Sequence, residues 1–165
     1  MSGEPPIVRH LEDVVPRLIA PADTVRLATL VRPADGTGTS VFYEVWEPGG
    51  SQPPNSHPDS TEIFVVLRGT GRAHSDGHAA DLRAGDVLVL PPGSVHRIEN
   101  TSSTERLYTV TIMANDPGAL PGGFAALVDR GTPVGWQDAD RDVLAGGSVT
   151  LRRRADMEAG LPPVS

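Results

Sequence analysis

Between residues 25 and 113 the chain is a ladder of short apolar runs, each closed by Gly, Pro, Asp or Asn. "VRLATLV" and "SVFYEVWE" flank the turn-forming stretch "RPADGTGT". After them come "EIFVVLRG", "GRAHSD", "HAADLRAGD", "VLVLPPG", "VHRIEN" and "RLYTVTIM". Runs this short, rich in β-branched and aromatic residues and evenly spaced, cannot build long helices and point to an antiparallel sandwich or barrel. The 18 glycines and 16 prolines agree, because an all-β chain needs many tight turns.

Outside the ladder the pattern changes. Residues 1–24 carry "IVRHLEDVVPRLIAPAD", where helical spacing is broken by Pro16 and Pro21, so a short helix or irregular arm is expected. Residues 114–165 read as an extension in which "GGFAALVDRG" and "DADRDVLAG" form short peripheral helices ahead of a frayed tail. At 165 residues the whole chain is one ordinary domain: arm, barrel over 25–113 and extension.

Composition excludes several functions. A net charge of −7 opposes binding to phosphate backbones, and Arg152, Arg153 and Arg154 read as a solvated tail, so no nucleic-acid partner is expected. The absence of cysteine removes disulfides, thiolate metal sites and thiol nucleophiles. No G-x-S-x-G elbow is present, and the two G-T-G triplets at Gly36 and Gly69 lack the continuation of a phosphate loop. No apolar run reaches membrane-spanning length and the first residues lack a signal-peptide core, so a cytoplasmic protein without membrane association is expected.

The chemistry lies in two similar segments. In the first, Gly49 is followed by Asn55, His57, Glu62 and Gly69; in the second, Gly85 is followed by Pro91, Gly93, His96 and Asn100. Gly69 and Gly85 fall where hairpins turn, and Pro91 with Gly93 makes a rigid turn before the strand bearing His96. Alternation along a strand then groups Glu62 with Phe64 and Val66, and His96 with Ile98, leaving Arg97 and Glu99 on the outside.

These segments resemble the two motifs of the cupin superfamily, G-x5-H-x-H-x3-4-E-x6-G and G-x5-P-x-G-x2-H-x3-N. The second matches at every defined position. The first departs once, with Asn55 where the family has its first histidine. The resemblance implies a jelly-roll barrel with His57, Glu62 and His96 as ligands of a divalent metal. Burying two imidazoles and a carboxylate among apolar neighbours would cost several kcal/mol without such a partner. Asn55, a neutral and poorer donor, is expected to hydrogen-bond a metal-bound water, or to coordinate only weakly. Asp59 lies in the same loop but fits no motif position, and His10, His74 and His78 fall outside both motifs.

Two histidines and one carboxylate are the donor set of non-haem iron oxygenases, so Fe(II) is the expected metal, with Zn, Ni or Mn able to occupy the same ligands. The expected activity is oxygenation of a small organic molecule. A non-redox lyase, isomerase, decarboxylase or cyclase using the metal as Lewis acid is the first alternative, and a ligand-binding cupin without turnover the second. The family resemblance also implies a homodimer. Tyr43, Trp46, Arg72, His74 and Tyr108 lie on strands able to line the cavity, but imperfect alternation leaves their facing open.

Overall fold

A computed structural model describes residues 5–116 and 121–145. Ten strands follow in chain order: β1 (Arg17–Leu18), β2 (Val25–Val31), β3 (Thr39–Trp46), β4 (Thr61–Arg68), β5 (Thr70–Ser75), β6 (His78–Arg83), β7 (Val87–Leu90), β8 (His96–Asn100), β9 (Leu107–Ala114) and β10 (Thr132–Pro133). Two seven-residue helices complete the fold, α1 (Gly123–Asp129) and α2 (Asp138–Leu144). Every pairing is antiparallel. One sheet has the order β10-β1-β2-β3-β9-β4-β7 and the other β6-β5-β8.

Side chains from both sheets meet in the main core. Phe42, Trp46, Phe64, Val66, Leu107 and Met113 come from the large sheet, and Ala73, Leu82 and Ile98 from the small one. The expected face of β4 is buried, with Glu62, Phe64 and Val66 almost inaccessible, while His96 and Ile98 are buried on β8 and Arg97 and Glu99 stay partly exposed. The turn before β5 explains its glycine. Gly69 has φ +94°, and a Cβ there would meet the Arg106 carbonyl oxygen at 2.7 Å.

The large sheet is also covered on its outer face, where Ala28, Tyr43, Val45 and Tyr108 pack with Val14 of the arm and with Trp136, Val143 and Leu144. Strand β3 is therefore buried on both sides, which removes the alternation that would have revealed its facing. The arm contributes a 3-10 turn at Leu11–Asp13 and the two-residue β1, which pairs with β10 of the extension in the register Arg17↔Pro133. Both expected peripheral helices are present as α1 and α2. The Arg152–Arg154 run and the tail lie outside the described residues.

Asp140 fastens α2 to the sheet. Fully buried, it accepts from Arg106 at 2.9 Å and from the Tyr108 hydroxyl at 3.2 Å, and its carbonyl accepts from the Tyr43 hydroxyl at 2.5 Å. Breaking a buried ion pair typically costs about 3 to 5 kcal/mol. Arg106 would keep its contacts with Glu47, so Asp140→Ala is expected to destabilise by about 2 to 3 kcal/mol in urea unfolding. A loss under about 0.5 kcal/mol would show that α2 is held by packing alone.

Candidate metal centre

Backbone hydrogen bonds join the two motif segments. Residues 49–57 run beside β8: Asn55 and His96 exchange both backbone bonds, at 2.9 and 3.0 Å, and Gln52 donates to the Ile98 carbonyl at 3.2 Å. Gly93, in the left-handed region at φ +80°, donates to the His57 carbonyl at 2.9 Å. The rigid turn ahead of β8 thus holds the loop that carries His57. Asn100 closes the far end of β8, its side-chain amide donating to the carbonyls of Glu47 and Glu105 and its Oδ1 accepting from the Ser102 amide. Its place in the second motif is structural.

This framework brings His57, Glu62 and His96 together, with one ligand-type atom from each lying within 4.8 Å of the others. Glu62 Oε2 is 2.7 Å from His96 Nε2 and 3.7 Å from His57 Nε2. The shorter separation has hydrogen-bond length but not hydrogen-bond geometry, so the buried Glu62 Oε2 and His96 Nε2 both remain without a partner. His96 Nδ1 lies 3.0 Å from the Ser94 carbonyl, to which it can only donate. That bond places a proton on Nδ1, so in the neutral ring Nε2 keeps the lone pair that a metal-binding imidazole requires.

Electrostatics separate the two imidazoles. Burial lowers the His57 pKa, with the Glu62 charge opposing only in part, so His57 is a neutral donor at pH 7. At His96 burial pulls the same way, but the adjoining Glu62 carboxylate outweighs it and raises the pKa. Two nitrogens, a carboxylate oxygen and no sulfur suit a divalent cation of borderline character, which would also satisfy both orphaned atoms. Asn55 stands beside this cluster with its Oδ1 buried and unpaired.

A cavity of 340 Å³ opens from the cluster and is lined by Asn55, His57 and Glu62, by apolar side chains from β2 and α1, and by Glu44. Phe124 of α1 presents its ring edge-on to His57, with centroids 5.7 Å apart. Asp116 seats that helix by accepting from the Phe124 amide at 2.8 Å and contacting the Ser40 hydroxyl.

The remaining sequence candidates lie elsewhere. Asp59 is exposed, and only its carbonyl is engaged, by Asn115. Arg72 pairs with Asp81 and His74 with Glu99, neither lining the cavity, while His10 and His78 are exposed. Tyr43 and Tyr108 belong to the outer cluster, and Trp46 to the core. Glu44 and Phe124 are among the cavity residues that sequence reasoning missed, with Asp23 and Gln52. A glutamate sharing a strand face with Phe42 and Trp46 was the available signal for the first; Phe124, more than sixty residues beyond Glu62, had none.

A family model described as "Cupin domain" matches residues 42–113. Germin-like protein 3-5 of Oryza sativa subsp. japonica is 33% identical over 94 residues, which are 50% of this chain and 40% of that protein. The chain thus spans less than half the length of the curated relatives it matches. A solved cupin-like protein from Thermotoga maritima shares 32% identity at a TM-score of 0.52, covering 57% of this chain and 71% of that one. An oxalate oxidase solved in complex with glycolate shares 27% identity at a TM-score of 0.53, covering 61% and 56%. With both motif segments inside the matched region, and the same barrel shared by a structure nearly a third identical, the chain belongs to the cupin superfamily.

Proposed function

We propose that the chain is a metal-dependent enzyme acting on a small organic molecule, an oxygenase whose Fe(II) is held by His57, Glu62 and His96. One observation carries this reading: the unpartnered Glu62 Oε2 and His96 Nε2 converge with His57 beside a cavity of ligand size. Bound there, Fe(II) would supply redox activation of dioxygen next to the substrate. The protein's part is to orient and exclude. Ser94 fixes the His96 ring, Gly93 fixes the His57 loop, and Phe124 with the apolar wall keeps bulk water from the donors.

Glu44 favours the non-redox alternative as a second reading. Burial first, and then the charge of Glu62, raise its pKa to about 8, the range of a general acid or base at neutral pH. The two readings part on the metal they need. Freshly purified protein is analysed for metals, reconstituted under argon with Fe(II), Mn(II), Ni(II) or Zn(II), and assayed for oxygen uptake against candidate substrates. Uptake only with iron and substrate together is expected. Equal turnover with Zn(II) under argon would transfer the assignment to Lewis-acid chemistry, because a redox-inert ion cannot activate dioxygen.

Asn55 tests the number of protein ligands. As the partner of a bound water it contributes little, so Asn55→Ala should lower metal affinity by less than about tenfold, while Asn55→His should tighten binding. Loss of metal by Asn55→Ala as complete as that caused by removing a histidine would refute the three-ligand centre. Calorimetric titration of metal-free protein reads both.

A further inference from the structure

We propose that the cavity takes a neutral, largely apolar small molecule bearing a hydroxyl or carbonyl oxygen, and that Glu44 makes the hydrogen bond that orients it. The inference rests on reading the cavity as the substrate site and adds the class of substrate to it.

Three features of the cavity carry the assignment. Its wall is mainly hydrocarbon, from Ile19, Val25, Leu27, Phe124 and Leu127. Its ionisable lining consists of His57 and the acids Asp23, Glu44 and Glu62, with no arginine or lysine among the described residues that line it. An anion would therefore find no guanidinium or ammonium in the wall to pair with. Its polar lining is aimed and incomplete. Gln52 Nε2 and Asn55 Oδ1 are both buried there without a partner, a donor and an acceptor held ready for a neutral ligand.

Buried hydroxyls hold the Glu44 carboxyl at the cavity wall. Trp46 Nε1 donates to Thr109 Oγ at 3.1 Å, so the Thr109 hydroxyl turns its own proton to Glu44 Oε2 at 3.2 Å. Trp46 and Thr109 are fully buried, and Glu44 is only 4% accessible. Oε2 is thus occupied as an acceptor. Thr111 also hydrogen-bonds the carboxyl, and the Glu44 side chain lines the cavity. A protonated Glu44 would donate to a ligand oxygen and an ionised one would accept from a ligand hydroxyl, so a hydroxyl or carbonyl ligand is served in either state. The predicted substrate thus differs in charge from the oxalate of the oxalate oxidases that resemble this chain.

The test uses three probes, benzyl alcohol, benzoate and oxalate, each titrated by calorimetry into metal-free and Zn(II)-loaded protein whose metal content is measured on the same samples. In the metal-free protein benzyl alcohol should bind at least about tenfold more tightly than benzoate or oxalate. Glu44→Leu should weaken benzyl alcohol about tenfold, the loss of one hydrogen bond. Glu44→Gln, which keeps shape and hydrogen bonding, should hold benzyl alcohol within about threefold of the wild type; the wild-type comparison of the three probes stands even where Glu44→Leu fails to fold. Benzoate or oxalate binding the wild type as tightly as benzyl alcohol would overturn the proposal, as would no binding of benzyl alcohol or a folded Glu44→Leu protein that binds it as tightly as the wild type. Failure of the wild type to take up Zn(II) would instead strike the metal centre and leave the metal-free comparison standing.

Discussion

His96→Ala is expected to lower Fe(II) affinity by more than about a hundredfold, beyond the range that follows from losing an outer hydrogen-bonding partner of a metal site. The proposed centre has three protein donors, and His96 supplies the most enclosed nitrogen, with a side chain 2% accessible against 17% for His57. Its removal leaves Glu62 and one imidazole, a pair that neither fixes geometry nor displaces a full hydration shell. His57→Ala should lose metal as well. Both variants retain the strand pairings, which are backbone bonds, so a far-ultraviolet circular dichroism spectrum like that of the wild type should accompany the loss. Calorimetric titration under argon reads the affinity, and Fe(II) bound by His96→Ala within tenfold of the wild type would remove His96 from the site.

The second large effect is a dependence of stability on pH that traces to Glu44. The folded protein holds this carboxyl at a pKa of about 8, chiefly through burial and then through the charge of Glu62. In the unfolded chain it returns to the ordinary carboxylate range. Between these values the folded state keeps a proton that the unfolded state has released, so raising the pH favours unfolding. The contribution is fully present below the ordinary carboxylate range and is lost as pH rises towards about 8. In metal-free protein it amounts to about 1.4 kcal/mol per pH unit, or about 4 kcal/mol between pH 5 and 8. Glu44→Gln cannot titrate. Urea unfolding of the two proteins across that interval should give curves whose separation grows with pH in favour of the variant, and parallel curves would show that Glu44 is ionised in the fold.

Much of this was legible in the chain. The alternation of Glu62, Phe64 and Val66 along β4 and the Gly and Pro positions that close the hairpins fix register locally, because each is a short-range constraint. The match to both motifs then placed His57 and His96 in one centre although 38 residues of chain lie between them. What stayed hidden depends on distant partners. Strand β3 lost its alternation because the arm and α2 cover its outer face, and Glu44 was obscured in that run of buried residues. The pairing of β1 with β10 joins residues more than a hundred positions apart in two-residue strands, too short to leave a period in the sequence. Phe124 reaches the centre only because Asp116 seats α1 against the barrel.

The central claim is that His57, Glu62 and His96 surround one metal ion. A crystal grown under argon with Fe(II), measured at the iron absorption edge, locates the ion by its anomalous scattering without any assumption about activity. The account predicts one peak per chain, bordered by the two imidazole Nε2 atoms and a Glu62 oxygen and open to the cavity that holds Glu44. A peak elsewhere on the chain, or iron at this site with Glu62 turned away from it, would contradict the account.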